Sequence, residues 1–255
     1  MTFASTQQIA AFTELYRDNY RPTQPLGERA IDGAHFDYAG ADGPMHWGEL
    51  ARGWELCEEG QEQSPIDIPA DAKPAASNEL TIDYRPATLE IENTGHTIQV
   101  DYEPGSAIAI HGSKYQLTQF HFHAHSEHSI AGHLAPLEVH LVHRSQSGAL
   151  AVIGVLIEEG EPNRALDAVF THLPERAGPP SKLAAATIDA AQLLPEDRAM
   201  WRYEGSLTTP PCSENVKWHV LASPIHASSA QIAAFTALYR ADARPQQPLG
   251  GRPMY

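Results

Sequence analysis

The sequence predicts a mainly β (α+β) domain, an antiparallel sheet with short helices at its periphery. Three observations lead there. Short strand-like runs recur from residue 80 to residue 222, turn residues separate them, and helical periodicity is confined to three places. The 20 prolines and 18 glycines in 255 residues also suit many strands joined by turns better than a helical bundle.

The expected strands, in order, are 80–84, 88–92, 97–102, 107–111, 115–123, 137–144, 149–158 and 215–222. Each is rich in β-branched, aromatic or alternating apolar residues. Between them stand Asn93-Thr94-Gly95, Pro104-Gly105 and Gln146-Ser147-Gly148, which favour tight turns. Residues 163–172 have the pattern of a helix. No Pro/Ser-rich linker interrupts this stretch, so it reads as one domain from about residue 31 to 255.

Two other helical stretches are copies of each other. Residues 5–29, STQQIAAFTELYRDNYRPTQPLGER, align without gaps to residues 228–252, SSAQIAAFTALYRADARPQQPLGGR. Each copy reads as a short amphipathic helix followed by an extended Arg-Pro-x-Gln-Pro-Leu tail. Two copies do not make a solenoid, which needs at least three stacked units. Residues 1–30 are therefore expected to be an extra terminal segment. Three roles suit it: docking into a neighbouring subunit of a homo-oligomer by segment exchange, a remnant of a tandem array, or a tail without a role.

A net charge of −15 argues against nucleic acid or an anionic membrane as a partner. No apolar run is long enough to span a bilayer. The first residues lack the basic and apolar regions of a signal peptide, so none is expected in this chain.

The densest chemistry lies in QFHFHAHSEHSIAGHLAPLEVHLVH, residues 119–143. Residues two apart on a strand share a face, so His121 and His123 project together, as do Glu138 and His140. If those strands pair, three imidazoles converge, and three neutral histidines with an open fourth position are the arrangement of a catalytic zinc site. Spacing alone does not choose the ligands: His125 shares the parity of His121 and His123, and His128, His133 and His143 lie close. His121-x-His123-x-x-x-Glu127 with a later histidine also loosely suits a cupin holding iron or manganese, although the glycine framing of that motif is absent.

The strings FHFHAHSEH, LEVHLVH and SLTTPPCSE, in that order, resemble the signature set of α-class carbonic anhydrases of bacterial type. DYAGADGPMHW, QSPIDI, NTGH and RPQQPL add to the resemblance, which covers roughly residues 35–252. It implies a large central twisted sheet with Zn2+ at the base of a conical cleft, and reversible hydration of carbon dioxide to bicarbonate and a proton. It makes His121, His123 and His140 the zinc ligands. Neutral imidazoles leave the ion its full charge, which acidifies bound water into a zinc-bound hydroxide near neutral pH; carbonic anhydrase is itself the standard illustration of that effect.

By the same resemblance Gln119 and Glu138 are the partners that orient His121 and His140. Thr208 accepts a hydrogen bond from the zinc-bound oxygen and donates one to Glu127, and Thr209 contacts bicarbonate. Val142, Val152, Leu207 and Trp218 form the apolar wall for carbon dioxide. His96 is the proton shuttle, its ordinary pKa of about 6.5 suiting the task, and Tyr38 helps order the water chain. Cys57 and Cys212 match a pair bridged in secreted members, which implies a disulfide and a periplasmic or extracellular mature protein. His125 stands where many members have proline or glycine. A non-catalytic binding module of the same fold is the alternative; such relatives lose a zinc ligand, and this chain keeps all three.

Overall fold

The computed structural model describes residues 34–76 and 80–255. The expected terminal segment 1–30, with the first repeat copy, lies outside the described residues. The strands are β1 (Asp67–Ile68), β2 (Leu80–Asp83), β3 (Ala87–Asn93), β4 (Ile98–Asp101), β5 (Ala107–Ile110), β6 (Ser113–Ala124) and β7 (Ser129–Ile130). They continue as β8 (His133–Leu134), β9 (Leu137–Ser145), β10 (Leu150–Glu159), β11 (Ser181–Ile188), β12 (Met200–Ser206), β13 (Glu214–Leu221) and β14 (Ile225–Ala227). All eight expected strands are present, with ends moved by no more than two residues.

Eleven strands form one sheet in the order β11-β3-β4-β6-β9-β10-β13-β12, with β5 on β6, β2 on β5 and β14 on β10. Pairing is antiparallel except that β13 and β14 run parallel to β10. The central strand β10, LAVIGVLIEE, is a nearly continuous apolar run because both its faces are covered. Six strands were not expected: the two- and three-residue β1, β7, β8 and β14, and the longer β11 and β12. SKLAAATI (β11) is a largely exposed edge strand with little apolar alternation, and Gly205 interrupts the pattern of β12.

The two faces of the sheet carry different cores. The back face presents Phe120 and Phe122, Val139 and Leu141, Ile153 and Val155 to the larger cluster. The helix Arg164–Phe170, capped by the Asn163 side chain, and the helix Ser229–Thr236 close over it with Phe170 and Phe235. The front face presents Val142, Val152, Tyr203, Trp218 and Val220 to a second cluster. A third cluster, Phe36, Trp47 and Trp54, surrounds a Cys57–Cys212 disulfide, the pairing the resemblance implied.

After Thr236 the chain runs extended beneath the front face. The Arg244 guanidinium is buried, donating to Gln63 Oε1 and Ser64 O (both 2.8 Å) and to Cys57 O (2.7 Å). A fixed guanidinium with all these acceptors matched can sit in the interior without an unpaired charge cost on those nitrogens.

On the back face of β13, burial pushes His219 down to about 4, with Arg202, Lys217 and His111 adding repulsion. Between the ordinary histidine pKa of 6.5 and that value, the unfolded chain takes up a proton that the folded chain refuses. The stability His219 contributes is therefore present above pH 6.5 and lost as pH falls, by about 1.4 kcal/mol per pH unit at most. His219→Gln should flatten the stability profile between pH 6.5 and 4 when measured by denaturant unfolding. Identical slopes for the two proteins would remove His219 from the account.

Candidate metal centre

The register of β6 on β9 places His121 directly opposite His140, and both point to the front face. His123 lies two residues along β6 on the same face. One ring nitrogen from each of the three histidines falls within 4.8 Å of the others. Where β6 stops bears on the choice that spacing left open. The strand ends at Ala124, so His125 no longer keeps strand parity, and its Nδ1 meets Ser126 O at 2.8 Å. His133 is exposed and pairs with Glu158, while His143 points to the back face and meets Tyr84. His128 is buried against Glu138 and, with Glu138 and His140, forms a second close group.

Each of the three rings has its other nitrogen tied down. His121 Nδ1 donates to Gln119 Oε1 at 2.8 Å, and His140 Nε2 donates to Glu138 Oε1 at 2.9 Å. His123 Nδ1 donates to the main-chain oxygen of Asp242 at 2.7 Å. These bonds fix the tautomers, leaving Nε2, Nδ1 and Nε2 of His121, His140 and His123 as acceptors. Burial lowers His121 well below the ordinary histidine value and takes His140 to about 4 against the pull of Glu138. Both rings are thus neutral at physiological pH, as ligands must be.

Glu138 is fully buried and still ionised. Burial opposes its charge, but His128 and His140 hold its carboxyl well below the usual range. Its Oε2 also accepts the main-chain N–H of Glu127 (2.9 Å) and of His128 (2.8 Å). The space for this carboxylate comes from Gly154, paired with His140 across β9 and β10. A Cβ there would stand 2.9 Å from Glu138 Oε1. Gly154→Ala should therefore displace the carboxylate and weaken metal binding roughly 10- to 100-fold, the range for lost outer partners of metal ligands. Competition against a chelator measures it; unchanged affinity would show that Glu138 tolerates the shift.

Glu127 connects the histidines to the turn after β12. Its Oε1 accepts the main-chain N–H of Arg244 at 2.8 Å, and Oε2 lies 3.4 Å from His123 Nε2. Burial pushes its carboxyl up to about 8, against the Arg244 N–H and a hydrogen bond from Thr208 that lower it. Thr208 is buried, and Leu207 and Thr209 beside it are half-buried. The turn is held by Leu207 N–H to Ser213 O, by Cys212 N–H to Thr209 O, and by the disulfide. Thr209 has its main chain in this turn.

Val142, Val152 and Trp218 pack in one front-face cluster with Leu207 against it, and the Trp218 ring lies 4.9 Å from that of His140. His96 sits in the turn before β4, whose Gln99 pairs with His121. Its ring stacks on Phe36 at 3.9 Å, and its Nε2 donates to Phe36 O at 2.8 Å. Tyr38 stands beside it, rings 6.4 Å apart, its hydroxyl held protonated by burial and by Glu127.

Sequence reasoning missed the Asp242 carbonyl, because a main-chain acceptor has no residue type to read. It also missed the chain behind Glu138. His128 Nε2 meets the Tyr203 hydroxyl at 2.7 Å, and Tyr203 meets Ser64 Oγ at 2.9 Å. The neighbouring string of histidines gave a signal for His128, but nothing local joins it to residues 64 and 203.

The three-histidine group fits a borderline cation such as zinc. All donors are imidazoles whose second nitrogen is hydrogen-bonded, and His123 Nε2 is buried without a hydrogen-bond partner. A front-face histidine triad on a large mixed sheet, backed by buried carboxylates, is a group that could hold a metal ion. The sequence model of the eukaryotic-type carbonic anhydrase family matches residues 42–255, and the chain belongs to that family. A carbonic anhydrase of Nostoc sp. is 46% identical over 234 residues, covering 90% of this chain and 88% of its own length. One from Pectobacterium carotovorum is 41% identical, covering 88% and 91%. The solved α-carbonic anhydrase of Thermovibrio ammonificans, in complex with the inhibitor sulfanilamide, superposes with a TM-score of 0.83 at 41% identity, covering 87% and 99%. The chain is thus an enzyme of the carbonic anhydrase type, and the family's general reaction is the hydration of carbon dioxide.

Proposed function

We propose that this chain is a zinc lyase interconverting carbon dioxide and bicarbonate, with His121, His123 and His140 holding the ion. The observation that carries the reading is the triad's geometry: three rings, each locked by its second nitrogen, with ligand nitrogens within 4.8 Å of one another. Zinc held there supplies a Lewis acid able to acidify water near neutral pH.

The chain's own groups do the rest. Gln119, Glu138 and the Asp242 carbonyl hold the three rings at fixed orientation, so no reorganisation accompanies the reaction. Val142, Val152, Leu207 and Trp218 offer carbon dioxide, which is apolar, a surface from which water is excluded. Thr208 has its proton committed to Glu127, which leaves the hydroxyl oxygen as an acceptor and selects partners that can donate. Thr209 holds bicarbonate. His96, held with its Nε2–H on Phe36 O, is the proton shuttle, passing a proton to buffer as the ring turns off Phe36. Tyr38, protonated beside it, orders water on that route.

Among the described residues no helix is long and apolar enough to cross a membrane. The disulfide supports a periplasmic or extracellular location, where such bonds persist. Stopped-flow hydration of carbon dioxide by the zinc-loaded protein, with metal analysis of the purified chain, tests the reading. A rate equal to the uncatalysed one would favour the binding-module alternative, and iron in place of zinc would favour an oxygen-chemistry enzyme.

A further inference from the structure

We propose that residues 5–29 of one chain occupy, in a second copy of the chain, the slot that residues 228–252 fill here, so that the protein assembles by exchange of this segment. The proposal is independent of the reaction above. It rests on which positions of the slot tolerate change.

The two copies are identical at 17 of 25 aligned positions, which leaves eight differences. Six of these fall on exposed residues of the docked copy: Ser229, Ala230, Ala237, Ala241, Gln246 and Gly251. A seventh, Ala243, is half-buried. Every contact that anchors the docked copy through a buried side chain, with one exception, has the same residue in the other copy.

The anchors are specific. Ser228 and Gln231 form a capping box, and Gln231 Nε2 also donates to Asn163 O (2.7 Å) and Asp167 Oδ1 (2.6 Å). Ser5 and Gln8 stand at the matching positions. Phe235, fully buried, packs on Phe122 and Phe170, and Phe12 matches it. Tyr239 bonds Asn93, and Tyr16 matches it. Arg244, with its three guanidinium bonds, is matched by Arg21, and Arg252, bonded to Gln63 O and Glu204 O, by Arg29.

The exception is Asp242, replaced by Asn19. Asp242 uses its main-chain oxygen for His123 and its Oδ1 for the N–H of Ala124 (2.7 Å). Asparagine keeps both acceptors and carries no charge into the interior. The mismatch in backbone is Gly251, at φ +76° on the exposed end, where Glu28 would carry some strain.

One chain thus holds two segments fitted to one slot. Exchange conserves the buried contacts, so its cost is chiefly that of association, the usual basis of segment swapping. The occupant is a second copy because residues 5–29 repeat, position for position and Asn19 apart, the buried side chains that this domain's slot takes from residues 228–252.

Light scattering of the full chain across concentrations, beside Phe12→Ala/Arg21→Ala, gives the first test. Assembly to at least twice the chain mass, abolished in the variant, is the expected result. A full chain that stays monomeric, or a variant that still assembles, overturns the proposal. A second pair separates slot docking from adhesion elsewhere. Full-length Phe235→Ala/Arg244→Ala should stay folded and assembled because the other copy takes the vacated slot. Adding Phe12→Ala/Arg21→Ala should then lower its thermal transition further. Equal transitions for the double and quadruple variants would overturn the exchange.

Discussion

His140→Ala is expected to lose more than 100-fold in zinc affinity and to hydrate carbon dioxide no faster than the uncatalysed reaction. The effect is large because the ring would have two jobs: Nδ1 is the ligand atom of the proposed site, and Nε2 satisfies Glu138. Two-ligand sites hold zinc weakly, and outer partners alone change affinity only 10- to 100-fold. Removing the ring also takes one partner from a buried carboxylate, a cost of about 1–3 kcal/mol in stability. His121→Ala separates the two consequences. Its ring is tied to Gln119, a neutral partner, so the fold should suffer less while the metal is still lost. If both variants keep the parent rate at saturating zinc, the lyase assignment fails. If thermal unfolding shows His140→Ala alone collapsed, His121→Ala still decides.

The second large effect is expected from the disulfide. Cys57 and Cys212 are 155 residues apart, and closing so long a loop restricts the unfolded chain by about 5 kcal/mol in the chain-entropy limit. Residual structure in the unfolded state reduces that figure, so a loss of about 2–5 kcal/mol is expected for Cys57→Ala/Cys212→Ala in guanidinium unfolding. The bond also anchors the turn that carries Thr208. Cys212 O accepts from Gln63 Nε2 at 3.0 Å, and Gln63 in turn accepts from Arg244. Activity of the variant should therefore fall at temperatures below its unfolding transition, as the turn loosens before the sheet melts. An unchanged denaturation midpoint, or two titratable thiols in the unreduced denatured protein, would dismiss the bridge.

How far the site could be read in advance varied by residue. His121 and His123 share a face for the simple reason that strand side chains repeat every two residues, and that periodicity is visible in any sequence. His125 obeys the same periodicity and is still not one of the three. Strand β6 ends one residue before it, and a strand end is set by what pairs alongside. The helix Arg164–Phe170 was legible in the helical pattern of residues 163–172, whereas the edge strand Ser181–Ile188 was not. Its residues are largely exposed, so no apolar alternation records it.

The sequence by itself determined the strand-rich class, the repeat, and the clustering of histidines on strands. These depend on local spacing and residue type. Only the tertiary structure decided what each histidine does. Pairing of β6 with β9 puts His121 opposite His140, and the return of the C-terminal segment brings the Asp242 carbonyl to His123 from 119 residues away. It also places Arg244 N–H on Glu127, and it closes Cys57 onto Cys212. A ring's tautomer and charge depend on the partner across space, and a main-chain oxygen carries no residue label. That is why ligand candidates could be named from the string of residues, while the grouping that makes them a candidate metal site required the fold.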